Sequence, residues 1–284
     1  MSTAIGIKQQ EVRELETVRF VTSALFEVSA ESIGRLRLAF EKNRLFYTEI
    51  SDLYQSIKQV ASLRGHLENK VSTKVRGVSV AFTSNTRFYG SVNSDVMQTF
   101  LEHMRVTKRD CIVIGKTGQT FMGNYPEFEK RCSFFSFEGD QPTNKEMRQF
   151  LKKVDVYDQV YVFHPSFVNV FSQSVAALDI THTPRLVELS DSDESFQKVD
   201  YIFEPELPKI LHFFETRVRY LLFQRAMLES ELARTSARLL AMSRAEERAD
   251  DALNVVRYAL KREQETFNDM RLLESFSAIT KWKQ

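Results

Sequence analysis

The stretch of this chain best suited to chemistry is Ile114-Gly115-Lys116-Thr117, which follows the apolar run Cys111-Ile-Val-Ile114. A strand that ends in Gly-Lys-Thr is the close of a phosphate-binding loop, where successive backbone N–H groups and the lysine hold a nucleotide's phosphates. That loop needs a further glycine five residues before its last one. Asp110 stands there, a negative charge where the anion would lie. Thr117-Gly118-Gln119-Thr120 does not read as the opening of a helix either, so the expectation is a tight turn after a central strand.

The other reactive side chains are scattered. His66, His103, His164, His182 and His212 form no i, i+4 metal pair and have no cysteine at ligand spacing, although His164, before Pro165 at a strand end, is placed for burial. Ser84, Ser91 and Ser94 lack the G-x-S-x-G frame of a nucleophile elbow. Cys111 and Cys132 are too few for a disulfide framework or a zinc site and fit a reducing compartment. The 23 phenylalanines interleave with apolar residues and not with basic ones, and 39 Lys+Arg balance 38 Asp+Glu, which argues against nucleic acid as a partner. No catalytic residue, metal or cofactor is expected. No apolar run reaches the roughly 18–20 residues that span a bilayer, and Met1–Gln10 has neither the apolar core of a signal peptide nor the charge of a transit peptide. These features predict a soluble chain.

The elements that carry these residues are marked by the helix breakers. All six prolines lie between Pro126 and Pro208, and all nine glycines between Gly6 and Gly139. Lys209–Gln284 has neither breaker, and Ile7–Arg64 has only Gly34, so both ends are predicted to be long helices. A helix over 209–284 would measure about 114 Å. Along it runs a 4-3 seam: Leu221, Arg225, Leu228, Leu232, Thr235, Leu239, Met242, Glu246, Ala249, Leu253, Val256, Leu260, Glu263, Phe267, Met270 and Glu274. Its mostly apolar character predicts a coiled-coil stripe in preference to a helix buried all round. A rougher stripe passes through Val12, Leu15, Val18, Thr22, Leu25, Val28, Leu36, Phe40, Leu53, Ile57 and Val60. The two stripes cover each other in an antiparallel pair; helices packed on a globular core, or a homodimeric coiled coil, bury them as well.

The middle reads as alternating strands and helices: strand Val75–Phe82, helix Asp95–Met104, strand Asp110–Gly115, helix Lys145–Val154, strand Gln159–Phe163, helix Phe167–Ala177 and strand Thr183–Leu189. That alternation predicts a small parallel, three-layer α/β (Rossmann-like) domain. The expected fold class is therefore α/β with a long antiparallel coiled coil: a helix in residues 1–66, the α/β domain in 67–205 and a second helix in 206–284.

Three blocks give this layout a family. Tyr201-Ile-Phe-Glu204-Pro205, followed by Phe223-Gln-Arg-Ala-Met-Leu-Glu-Ser-Glu-Leu-Ala-Arg-Thr-Ser-Ala-Arg238-Leu-Leu-Ala-Met242, resembles the gamma (central stalk) subunits of F-type ATP synthases, with Glu229, Arg238, Ala241, Met242 and Ala249 in matching places. Ser84-Asn-Thr-Arg-Phe-Tyr-Gly90-Ser-Val-Asn93 is similar to that family's S-D-R-G-L-C-G-x-x-N, and Ile112-Val-Ile-Gly-Lys116 to the strand after it. Val21-Thr-Ser-Ala-Leu25 and Val28-Ser-Ala30 resemble its N-terminal I-T-K-A-M and V-A-A. The order holds over about residues 12–280.

The resemblance implies a non-catalytic rotor. Its partners would be the alpha and beta subunits of a catalytic hexamer, an epsilon-like subunit and a membrane c-ring, on the cytoplasmic face of a prokaryotic cell membrane. It implies rotor–stator contacts at Leu25, Arg238, Met242, Arg271 and Leu272, and stalk-base contacts at Ser84, Gly90, Asn93, Tyr201, Glu204 and Pro205. Arg225, Arg234, Arg244, Arg248 and Arg257 join Arg238 and Arg271 as cations suited to acidic loops of the ring. Phe20, Ser23 and Phe26 stand where the family has basic residues, and Arg271-Leu272 where it has Arg-Gln, which marks a diverged branch. The alternatives are a coiled-coil adaptor, or the shaft of an F-type-like ATPase with a non-standard output and no ion-pumping sector.

Overall fold

A computed structural model of the protein describes residues 2–63, 76–180 and 204–282. In chain order these form α1 (Ser2–Leu63), β1 (Gly77–Phe82), α2 (Val92–Val106), β2 (Asp110–Ile114), α3 (Lys116–Met122), α4 (Pro126–Glu129), β3 (Cys132–Phe135), α5 (Asn144–Val154), β4 (Gln159–Phe167), β5 (Gln173–Asp179) and α6 (Leu207–Trp282). The predicted strand Thr183–Leu189, Tyr201 and His182 lie outside the described residues. Two compact units divide the chain: unit 1 is Met1–Glu31 with Arg238–Gln284, and unit 2 is Ser32–Ala237.

In unit 1 the ends of α1 and α6 pair antiparallel. Lys8 meets Glu263 at 2.5 Å, Glu16 meets Arg257 at 2.7 Å and Arg19 meets Asp250 at 2.8 Å, so the partner number falls along α6 as it rises along α1. The α6 seam follows the predicted 4-3 spacing: Met242, Ala249 and Leu253 are buried, and Leu260 and Phe267 partly so. The α1 stripe needs correction. Val18 and Val28 are exposed, whereas Thr22 is buried as predicted and Ser29, outside the predicted stripe, is buried too. Their hydroxyls donate to the carbonyls of Arg19 (2.9 Å) and Leu25 (2.7 Å), which removes the cost of burying them and lets a short side chain sit in the seam. A hydropathy stripe passes over a position such as Ser29.

Unit 2 is built on a five-stranded sheet in the order β3-β2-β1-β4-β5. The first four strands are mutually parallel, as predicted, and β5 returns antiparallel to β4. The helix expected over Phe167–Ala177 is therefore a hairpin. Asn169 Oδ1 accepts from the N–H groups of Phe171 (2.9 Å) and Ser172 (2.8 Å), an Asx turn that reverses the chain where apolar spacing suggested a helix.

Strand pleating sends alternate side chains to opposite faces, and each face is covered. Val78, Val80, Phe82, Ile112, Ile114, Val160 and Val162 pack with Phe150 of α5, Tyr54 of α1, and Leu222, Phe223 and Met227 of α6. Ala81, Val113 and Phe163 pack with Val96, Met97, Phe100 and Met104 of α2. This is the predicted three-layer arrangement, with α1 and α6 supplying part of one layer. Asn43 bonds Gln224 at 3.1 Å and Tyr54 bonds Glu215 at 3.0 Å, again with antiparallel running. Because the sheet and α1 both cover it, α6 is buried nearly all round from Leu221 to Ala237, and the stripe expected there is absent.

Cys111 and Cys132 are opposite each other on the parallel strands β2 and β3 and are disulfide-bonded, with S–S 2.08 Å and Cα–Cα 4.6 Å. This corrects the expectation of two cysteines kept reduced: they lie twenty-one residues apart in sequence, and the strand pairing is what brings them together.

Candidate interaction surfaces

The second sequence block, Ser84–Asn93, is the loop that follows β1, and side chains brace it from within. Asn93 Oδ1 accepts from the Ser84 N–H (3.2 Å) and Asn93 Nδ2 donates to Ser84 Oγ (2.8 Å), while Gly90 takes the left-handed conformation at φ +59°. Phe88 is left-handed as well, at φ +71°, and 65% exposed. Ser84, Gly90 and Asn93 thus shape the loop, and Phe88 is presented at the surface.

A second layer holds this loop that the sequence did not reveal. Asp140 accepts from the Asn85 N–H (2.5 Å), from the Tyr89 hydroxyl (2.8 Å) and from the Thr86 hydroxyl. Burial alone would raise the Asp140 carboxyl, but these hydrogen bonds and the nearby Arg234 charge outweigh it and hold its pKa below the usual carboxylate value. Arg234 of α6 is 1% exposed. Its guanidinium stands 4.8 Å from the Phe82 ring centroid and 5.9 Å from that of Tyr89, and Nη2 reaches the Asp140 carbonyl at 3.4 Å. Arg234 is therefore an internal brace, which corrects its reading as a cation for an acidic loop of a ring.

Beside it, His164 is buried with its Nδ1 3.0 Å from the Pro165 carbonyl, and Ser166 bonds Glu229 of α6. Burial lowers the His164 pKa, with Arg225 and Arg234 adding to the effect and Glu229 opposing it. Open α/β sheets of this winding take ligands at the carboxyl ends of their strands. Here Arg234 and Glu229 lie over the ends of β1 and β4.

The Gly-Lys-Thr segment receives a similar explanation. α3 starts at Lys116, contrary to the sequence reading, but its first N–H groups are occupied. Lys116 N donates to Asn85 Oδ1 (3.1 Å), Thr117 N to the Ser84 carbonyl (3.0 Å) and Gly118 N to Thr83 Oγ1 (3.0 Å). A Cβ at Gly115 (φ +99°) would lie 2.5 Å from the Thr83 carbonyl oxygen, and one at Gly118 2.6 Å from Thr83 Oγ1. The glycines let the chain close against β1, and the donors a phosphate would need are spent on that closure. Among the described residues, no group of His, Cys, Asp and Glu could hold a metal, and no helix is long and apolar enough to cross a membrane.

The remaining predicted contacts divide. Leu25 is half-buried, and Met242 is buried in the unit 1 seam, so Met242 packs within the chain. Arg238 is half-buried. Arg257 is paired with Glu16, whereas Arg244, Arg248 and Arg271 are exposed. Past Phe267 the described side chains of α6 are exposed, including Met270, Leu272, Leu273 and Phe276. At the other end of α6, Glu204 and Pro205 are exposed just before its first turn, joined by a cis peptide bond.

Comparison with known proteins agrees with this architecture. Residues 7–265 match the family described as ATP synthase. The chain is 24% identical over 267 residues to the ATP synthase gamma chain of Exiguobacterium sp., covering 89% of this chain and 90% of that one. It is 22% identical to the gamma chain of Limosilactobacillus reuteri, with 99% of each covered. Among solved structures, a chain of the central stalk and c-ring of Tetrahymena thermophila mitochondrial ATP synthase superposes with a TM-score of 0.55 at 19% identity, over 79% of this chain and 99% of that one. A chain of the Euglena gracilis mitochondrial ATP synthase OSCP/F1/c-ring assembly gives 0.53 at 14% identity, over 88% and 94%. With paired terminal helices, a central α/β sheet and a family match over most of its length, the chain belongs to the gamma-subunit family of F-type ATP synthases, the non-catalytic subunits of the central stalk.

Proposed function

We propose that this chain couples nucleotide turnover in a hexamer of alternating alpha and beta subunits to rotation and to proton or sodium-ion transport, with unit 1 supplying the part inside the ring. Unit 2 faces an epsilon-like subunit and a membrane c-ring on the inner face of a cell membrane. The observation that carries this reading is the end of α6. Met270, Leu272, Leu273 and Phe276 expose large apolar surface on one side of the helix, and Trp282, 94% exposed, stands on the other. Such a segment calls for a surrounding sleeve more than for one partner helix. Arg271 is exposed among them, placed to meet acidic groups of that sleeve. An asymmetric axle offers each beta subunit a different face, which biases three nucleotide sites into different states.

The test is co-expression with the matching alpha and beta subunits, using a Leu272→Cys variant. The reading expects one copy of this chain per hexamer, cross-linked through position 272. A stable hexamer that excludes it sinks the proposal. Phe20 is 74% exposed where the family carries a basic residue, and this favours a second reading, the shaft of an ATPase with another output. ATP-driven ion uptake by vesicles containing the purified complex decides for the first reading over the second.

A further inference from the structure

The opposite edge of the sheet carries a cluster that rotation does not use. β1, β2 and β4 are parallel and begin side by side, and there Arg76, Lys108 and Arg109 line an open cavity of about 470 Å³ with Gly77, Asp110 and Gln159. Arg109 is held in place on two sides. Its guanidinium lies 4.5 Å from the Tyr161 ring centroid, and Nη2 donates to Gln159 Oε1 at 2.9 Å. Gly77 makes room for it, since a Cβ there would fall 3.3 Å from Arg109 side-chain atoms.

Fixed in this way, Arg109 Nη1 is buried and meets no acceptor among the described residues. A buried guanidinium donor left unmet is costly, and a bound anion removes the cost. The carboxylates nearby belong to Arg76: Asp110 is 4.0 Å from its guanidinium and also bonds the Tyr157 hydroxyl, and Asp158 accepts from the Arg76 N–H at 2.9 Å. No carboxylate among the described residues pairs with Lys108 or Arg109.

We infer that this cavity is an oxyanion site that takes a phosphate group through the Arg109 guanidinium and the Lys108 ammonium. The phosphate is either inorganic or the phosphodiester of an anionic lipid headgroup, and the two share this chemistry. A reporter lies behind it. His103 packs 4.9 Å from Phe163 and 6.3 Å from Tyr161, and its pKa is held low by burial and then by the charge of Arg109. An anion on Arg109 offsets that charge, so His103 must titrate at higher pH when the site is filled.

The experiment follows the His103 ring resonances of the full-length chain through a pH series, with inorganic phosphate or with chloride at equal ionic strength. The expected result is a saturable upward shift with phosphate only. Lys108→Ala, an exposed change that leaves the core intact, should weaken it roughly tenfold, and Arg109→Gln should abolish it. A parallel arm measures binding to phosphatidylglycerol and phosphatidylcholine vesicles. Binding to the anionic vesicles that phosphate displaces assigns the site to a lipid headgroup, whereas a phosphate shift without vesicle binding assigns it to the free ion. An equal response to chloride, or one unchanged in both variants, overturns the site.

Discussion

Units 1 and 2 draw on the same two helices but are held together by different means. In unit 1 the contact is a narrow seam, Met242, Ala249 and Leu253 against Thr22 and Ser29, flanked by ion pairs whose side chains are a quarter to a half exposed. Exposed pairs of this kind contribute about 0.2–1 kcal/mol each. In unit 2 both faces of a sheet are covered, and α6 passes through the core with a buried arginine. A seam leaves most of each helix free to present residues outward, as unit 1 does. A layered core consumes the helix surface, which is why Arg234 cannot be a surface contact while Arg271 can.

Arg234→Ala should have the largest effect, about 3–5 kcal/mol, because it empties a fully buried site packed on the Phe82 and Tyr89 rings and removes the bond to the Asp140 carbonyl. Hydrogen exchange should show the loss in β1 and β4 and leave 238–267 unchanged. Uniform loss over both units would mean that they unfold as one. The matching change in unit 1, Arg257→Ala, should cost under about 1 kcal/mol.

Leu253→Ala tests the seam from the other side. About 2–3 kcal/mol is expected, at the low end for a buried leucine because solvent borders the seam and the site can collapse. The exchange signature should lie in residues 2–31 and 238–267. If β-strand amides were exposed instead, the division into two units would be wrong.

Acid should separate the units without any mutation. All five histidines lie within residues 32–237 and none in unit 1. His103 and His164 have pKa values lowered by burial, so the folded state prefers them neutral. Their contribution is complete above the unfolded value of about 6.5 and is lost as pH falls from there toward the lowered folded values. Protection in α2 and β4, corrected for intrinsic exchange, should fall as the pH drops below about 6.5 while the unit 1 seam holds. His164→Gln should flatten the response of β4, and an unchanged slope would exclude His164 as its source. The smallest effect belongs to Leu272→Ala, within about 0.5 kcal/mol on the isolated chain, since Leu272 is 57% exposed. A larger loss would mean that the α6 end has an internal partner.

What the sequence determined by itself is local. The absence of glycine and proline after Pro208 sets the extent of α6, the Thr143–Glu146 capping box opens α5, and the apolar runs mark β1, β2 and β4. Each depends on neighbours a few residues away, so composition and spacing suffice to read it. The Ser84–Asn93 block was legible only through its resemblance to the family's motif.

Tertiary structure alone decided the rest. β3 and β5 are short or half-covered, and their strand character comes from pairing with β2 and β4. The cysteine bond needs two strands brought side by side. Asp140 and Arg234, ninety-four residues apart, become one brace only when α6 lies over the end of β1. The Gly-Lys-Thr turn loses its phosphate donors to Thr83, Ser84 and Asn85, thirty or so residues upstream. In each case the free energy of a side chain is set by what desolvates it and what meets its hydrogen bonds, and those groups are distant in sequence.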